Sequence, residues 1–441
     1  MSSVCKANLN KICIMKKLSI LACLAAFVWS CAESESLRVP DAEVVGGSPM
    51  SAVRSAEEAK ACALDAFATF YGTSRSLALI KDVRCFTSPS ESRSSDNDTL
   101  FYVVNTEDNQ GYAVIAASRA ETPVLAVTER GNIENLDDIE NPGAAMFFDA
   151  LRFNADNLRP IDSTAIIRPN PWWSGGDPTP GIYPPTPRYK ENVDIQEYKV
   201  EPRANLAWGQ ERPEGLLFPN KVAGCGNIAT MLVFSYFEYP TSLYKDSRVY
   251  LNWEIIKQHK QSGYFKYRDE CGDDSTALAH SLLSRACYTL SRMNGSMYED
   301  GGTPTPLKNL YNNISQYHIT SELYSGMPCA YESIGDGIIF VAADRGAKKT
   351  GHAFIIDGYH HRVTTVEQLK QEPGKDGWEV IGRSVSSLSY NHINWGWNGL
   401  DNGYFRKDIY DTAKAESYDG FHLGDSLNYI RNFKYFVVTR R

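Results

Sequence analysis

Cys225 stands between two glycines in Lys221-Val222-Ala223-Gly224-Cys225-Gly226-Asn227-Ile228-Ala229-Thr230-Met231-Leu232, where loop-forming residues give way to helix formers. Pro219, Asn220 and Gly224 break regular structure, whereas Ala229, Met231 and Leu232 favour a helix that the apolar Val233, Phe234, Tyr236 and Phe237 continue. The pattern predicts a helix starting at the cysteine. There, unpaired backbone N–H groups and the positive end of the helix dipole favour a thiolate. The flanking glycines leave room for a substrate backbone. Such a sulfur is a nucleophile, but a free cysteine is most often a small buried hydrophobe, so the reading depends on a partner base.

His352 is the candidate base. It opens an apolar run, Ala353-Phe354-Ile355-Ile356, that precedes Asp357-Gly358-Tyr359, and reads as the entrance of a strand closed by an Asp-Gly turn. An imidazole at a strand mouth can reach a cleft without full solvation, with a pKa suited to proton transfer near neutrality. Of the other histidines, His259, His280 and His318 lie in polar or helical surroundings, and His360, His361 and His422 in turn-like stretches. Asn391-His392-Ile393-Asn394-Trp395-Gly396-Trp397-Asn398 supplies a third element. An amide there can hold an imidazole while the indoles shield that bond from water. The same residues also suit a Trp-rich corner of a β-sheet core.

The order Cys, His, Asn is that of papain-like thiol proteases. The segments Ala207-Trp208-Gly209-Gln210, Ala223-Gly224-Cys225, Gly351-His352-Ala353-Phe354 and Asn394-Trp395-Gly396-Trp397 with Asn402-Gly403-Tyr404-Phe405 resemble the streptopain family of secreted bacterial cysteine proteases made as zymogens. The resemblance runs from about residue 100 to the C-terminus. It implies Cys225 as nucleophile, His352 as general base and Gln210 as the oxyanion-hole amide. It also implies Asn394 as the residue that orients or polarises His352, with Trp395 covering that contact. No metal or organic cofactor is implied. The chain departs from the family in having Pro213-Glu214-Gly215 after the Trp-x-Gln segment, and Asn227 and Leu232 after the nucleophile. These differences fall near the cleft and bear on substrate preference.

The fold that would position these residues is α+β. The resemblance implies a papain-like domain, residues 191–441, with a helical lobe and an antiparallel β-sheet lobe facing across a cleft. Strands are expected at Ile338–Ala342, Ala353–Ile356, Glu379–Ile381, Asn391–Trp395 and Tyr435–Thr439, and a core helix at Ala277–Leu290. Before it, residues 32–167 read as a small α+β domain. Ser55-Ala56-Glu57-Glu58 caps an amphipathic helix to Tyr71, followed by strands at Leu100–Asn105, Gly111–Ala117 and Val124–Thr128. This part resembles the streptopain propeptide, which packs on its own protease and blocks it until cleaved. Residues 168–190 are too rich in Pro and Gly for helix or central strand, and form an expected exposed linker. Arg188 and Lys190 are offered there to a trypsin-like or self-processing cut.

With 441 residues and 43% hydrophobic content the chain can bury at least two cores. A net charge of −8 and no basic stripe give no reason to expect nucleic acid as a partner. Residues 1–31 read as a signal peptide: Lys16-Lys17 precedes the apolar Leu18–Val28, too short to span a bilayer. Its end, Val28-Trp29-Ser30-Cys31, resembles a loose lipoprotein box, making Cys31 the lipidation candidate despite an atypical Trp29. An acidic tether, Ala32-Glu33-Ser34-Glu35-Ser36, follows it. Export to the outer membrane or cell surface is expected, with plain secretion as the alternative. Six of the ten cysteines lie beyond this leader; none shows C-x-x-C pairing, and a Cys62–Cys85 bridge is open. The expected partners are protein or peptide substrates, the propeptide as intramolecular inhibitor, and a membrane through a lipid anchor. Two other functions stay open: an inactive protease-like surface adhesin, and a Cys-His transglutaminase or amidase. A third reading makes the N-terminal domain an inhibitor of another protease.

Overall fold

The computed structural model describes residues 52–72, 79–87, 99–153, 187–211, 213–257, 274–295, 305–343, 351–410 and 433–441. In chain order, helix α1 (Ala56–Tyr71) precedes strands β1 (Ile80–Thr87), β2 (Thr99–Thr106), β3 (Tyr112–Ala116) and β4 (Val124–Thr128), then helix α2 (Pro142–Phe153). After β5 (Arg188–Val200) come α3 (Cys225–Phe237), the hairpin β6 (Ser242–Tyr244) and β7 (Arg248–Tyr250), and α4 (Trp253–Ile256). Helices α5 (Asp274–Met293) and α6 (Leu307–Ser315), strands β8 (Ile319–Thr320) and β9 (Tyr324–Ser325), and helix α7 (Ala330–Ser333) follow. The last strands are β10 (Ile338–Ala343), β11 (His352–Gln371), β12 (Glu379–Asn394), β13 (Gly403–Arg406) and β14 (Phe433–Thr439).

Among the described residues, twelve strands share one antiparallel sheet in the order β1-β2-β3-β4-β13-β12-β11-β10-β14-β8, with β5 beside β11 and β9 beside β14. The N-terminal strands alternate faces in the way a doubly covered sheet requires. Phe101, Val103, Tyr112 and Val114 meet Met146, Phe147 and Phe148 of α2, whereas Tyr102, Val104, Ala113 and Ile115 meet Ala63, Phe67 and Phe70 of α1. The capping box expected at Ser55 is present: Ser55 Oγ accepts from Glu58 N–H, and the Glu58 carboxylate accepts from Ser55 N–H at 2.8 Å. That satisfies two helix-end donors and contributes about 1 kcal/mol.

The sheet does not stop at the domain boundary. Strand β4 pairs with β13 over Thr128↔Gly403, Val127↔Tyr404 and Ala126↔Phe405, and Phe147 of α2 stands edge-on to Phe405 at 5.0 Å. Farther along, β10 and β11 place Ile339, Val341, Phe354 and Ile356 in this shared core. Their opposite face, Ile338, Phe340, Ala353 and Ile355, packs against α3 and α5. Helix α3 is buried on nearly every side, which its uninterrupted apolar sequence demands.

The sheet lobe is larger than its sequence implies. The strand expected at residues 353–356 runs on to Gln371, and those expected at residues 379–381 and 391–395 are one strand, β12. Asp357-Gly358 is a bulge inside β11, between Ile356↔Ile393 and Gly358↔His392, not a turn. His360 and His361 therefore lie within a strand. Arg188 and Lys190 lie in β5, hydrogen-bonded along β11 from Arg188↔Gln371 to Val200↔Tyr359, so they are not offered as an open loop. Linker residues 168–186 and the leader fall outside the described residues. Cys62 and Cys85 are both free thiols, which removes the bridge between them.

Candidate active site

Gly224 takes a left-handed φ of +82° that turns the chain into α3, so Cys225 becomes the first helical residue. The half-buried sulfur lies against the backbone N–H groups of Gly226 and Ala353 and its own. Ala353 directly follows His352, so the start of β11 reaches the head of α3. Burial pushes the thiol up from its usual range, and those N–H groups only partly offset it. In this state the expected stabilised thiolate is therefore outweighed by desolvation. His352 is also buried, and burial lowers its pKa to about 4 against the opposing pull of the Trp395 carbonyl. Both groups are held uncharged.

The imidazole is oriented by backbone. His352 Nε2 lies 3.0 Å from the carbonyl oxygen of Trp395, which accepts its N–H. Asn394, expected to make that contact, is committed elsewhere: Nδ2 donates to the carbonyls of Leu206 at 2.8 Å and Ala204 at 3.2 Å, and Oδ1 accepts from Gly396 N–H at 3.1 Å. Its amide thus fixes the turn whose carbonyl holds His352. Trp395 is fully buried; its N–H donates to Asn402 Oδ1 at 2.9 Å and its indole Nε1 to Asp401 O at 3.0 Å. Its ring centroid lies 6.4 Å from the imidazole, and that of Trp397 6.5 Å.

Gln210 is brought to the same place through its backbone. Its carbonyl accepts from Ala223 N–H at 2.6 Å, two residues before Cys225. Beside it, Gly209 N–H donates to the buried carboxylate of Glu214 at 3.3 Å, and Asn398 N–H donates to Trp208 O at 3.1 Å. All five candidate catalytic positions therefore converge on the junction of α3, β11 and the Trp395 turn.

Sequence reasoning missed the polar joints between the N-terminal domain and this site. His392 lies between Asp357, 2.6 Å from Nδ1, and Glu129 of the N-terminal domain, 3.4 Å from Nε2. Burial opposes its charge, but the two carboxylates raise its pKa to about 10. Asp357, read from sequence as a turn residue, is fully buried and also accepts from Ala204 N–H at 2.8 Å. Asp401 is enclosed by the N-terminal domain beside Asn141, and burial raises its carboxyl to about 7. Asn141 in turn donates to Leu400 O at 2.9 Å.

These values set a pH dependence. Both pKa values exceed the ordinary ones, 6.5 for His and 3.8 for Asp, so the folded chain retains two protons that the unfolded chain releases first. The associated stability, on the order of 4 kcal/mol each, is complete below the ordinary values. It is lost as pH rises through about 7 for Asp401 and about 10 for His392. The melting temperature of the full chain is expected to fall from about pH 5 to pH 9, and His392→Asn to flatten the part above pH 7. An unchanged slope in that variant would assign the dependence to other groups.

Comparison with known proteins bears on both halves. Residues 51–154 match the Spi protease inhibitor family, and residues 208–405 match the peptidase C10 family. No curated protein matches the chain. Among solved structures, a fragment of Prevotella intermedia prointerpain A is similar at 15% identity and a TM-score of 0.45, covering 80% of this chain and 98% of that one. By these two family matches, residues 208–405 are a peptidase C10, or streptopain-family, domain, and residues 51–154 ahead of it are a Spi-type inhibitor domain.

Proposed function

We propose that this zymogen is a cysteine endopeptidase that hydrolyses peptide bonds of proteins through Cys225 and His352. The reading rests on one observation above all: a cysteine at the head of a buried helix meets the first residues of a strand that begins with a histidine held by the Trp395 carbonyl. Because that carbonyl accepts a hydrogen bond from Nε2–H, the proton stays on Nε2 and Nδ1 is the basic nitrogen in the neutral tautomer. It accepts the Cys225 thiol proton as sulfur attacks the peptide carbonyl, then delivers it to the leaving amine. Water, activated by the same nitrogen, cleaves the thioester. The Gln210 amide and the Cys225 N–H receive the oxyanion. Asn394 and Trp395 act on the imidazole through the turn they hold.

On this reading the inhibitor domain is the zymogen's own inhibitor, and a cut within residues 168–187 frees the peptidase. Export with a lipid at Cys31 rests on the leader sequence alone.

The test incubates the chain from Ala32 onward, beside Cys225→Ala, under reducing conditions, with intact mass and casein turnover as readouts. Casein cleavage after loss of the N-terminal domain, in the wild type only, is the expected result. Should casein stay intact even after trypsin has cut the linker, the endopeptidase reading fails. Exchange of a glutamine amide for an added amine would then point to a transglutaminase.

A further inference from the structure

Behind the nucleophile, buried amides form a continuous donor-to-acceptor chain. Asn227, in the first turn of α3, donates Nδ2 to the Ala223 carbonyl at 2.7 Å, and its Oδ1 accepts from Asn294 Nδ2 at 3.0 Å. Asn294 Oδ1 accepts from Asn313 Nδ2, whose own Oδ1 accepts from Gln316 Nε2 at 3.1 Å. Asn309 Nδ2 secures the Asn294 carbonyl at 2.9 Å. Asn227, Asn294 and Asn313 are 1%, 2% and 8% exposed, so the bonds linking these three amides to one another and to Ala223 are made away from competing water. A chain of amides aligned in this way polarises along its length.

The end of the chain matters most. The Ala223 carbonyl takes the Asn227 amide, while the Ala223 N–H donates to the Gln210 carbonyl at 2.6 Å. Gly224 carries no side chain to cap α3, so Asn227 reaches back across it instead. One peptide unit apart from the sulfur, the relay thus joins the Gln210 segment to the Cys225 N–H. We infer that Asn227 is a positioning residue, held by Asn294 and Asn313, that fixes the spacing between the Gln210 segment and the Cys225 N–H where the oxyanion forms. This inference rests on the cysteine peptidase reading above.

The test separates oxyanion geometry from sulfur reactivity in the full chain matured by a linker cut. A peptide aldehyde adds the Cys225 thiol: the S–C bond forms, the carbonyl π pair moves to oxygen, and the thiol proton ends on that oxygen. Iodoacetamide forms an S–C bond, expels iodide and releases the proton to solvent, with no oxyanion to be held. Asn227→Leu removes both amide bonds at similar size. It is expected to lower kcat and aldehyde affinity together by about 10- to 100-fold, leaving KM and the alkylation rate within about twofold. Asn313→Leu, which breaks the relay one link farther out, is expected to move the same two quantities in the same direction by about fivefold, and carries the test if Asn227→Leu does not fold. Equal losses of alkylation and aldehyde affinity would make the relay a fold support only, and no change in either would remove its role. Hydrolysis surviving in Cys225→Ala would instead overturn the underlying reading.

Discussion

His352→Ala is expected to lower kcat/KM of the matured enzyme by about 10⁴-fold, because in the proposed mechanism the same imidazole both takes the thiol proton and protonates the leaving amine. Steady-state hydrolysis of a peptide substrate measures it, with intact folding checked by melting temperature. A companion variant tests how the imidazole is held. If an Asn394 side chain were its partner, Asn394→Ala would change the pH profile by freeing the ring. Here Asn394 holds the Ala204 and Leu206 carbonyls and Gly396 N–H, and the Trp395 carbonyl stays available to Nε2. Asn394→Ala should therefore cost stability, about 1–3 kcal/mol for the polar groups left unpaired, with a smaller drop in kcat and unchanged pH limits. A shifted acidic limit with unchanged stability would put Asn394 in direct charge of His352.

The second large effect is expected at Gly143→Ala in the inhibitor domain. Gly143 is the second residue of α2, and a Cβ there would overlap the six-membered ring of Trp395. The indole has no room to yield: it is fully buried and tied through Nε1 to the Asp401 carbonyl. Overpacking at such a contact costs about 3 kcal/mol, a factor of roughly 10² in how tightly the inhibitor domain is held. The intact variant chain should then label with a Cys225-directed aldehyde probe far faster than the wild type, before any cut. After the linker is cleaved and the domain removed, the two peptidases should be identical, since the altered residue has left. Equal labelling of the two intact chains would mean that α2 does not govern access to the sulfur.

What the sequence disclosed followed how local each signal is. Helix α1 carries its capping box and a helical apolar period in its own residues, and strands β2 to β4, β10 and the start of β11 are short apolar runs buried almost throughout. Cys225, His352 and the Trp395 turn were legible as motifs for the same reason. Strand β5 was not: Arg188–Lys199 are exposed on both faces, so no apolar alternation marks them, and their register comes from β11. Helix α2 was not among the expected elements; its Gly143 serves a close approach to Trp395, 252 positions on, which no local pattern encodes. The pairing of His392 with Asp357 depends on a bulge, and Asp-Gly reads equally as a turn. The direction of the Asn394 amide likewise depends on the Ala204–Leu206 segment, which folds against it from far upstream.

The length of β11 has a bearing on how the chain is first cut. One end of this strand, at His352 and Ala353, lies at the sulfur, and the other, at Gln371, is paired with Arg188. At about 3.3 Å per residue the separation along the strand is about 60 Å. Ten residues preceding Arg188, pulled straight, span at most about 35 Å. On the proposed chemistry the sulfur falls short of such a bond by the difference between these two lengths, so self-processing there would be an encounter between two copies, second order in protein and slow when the molecules are few.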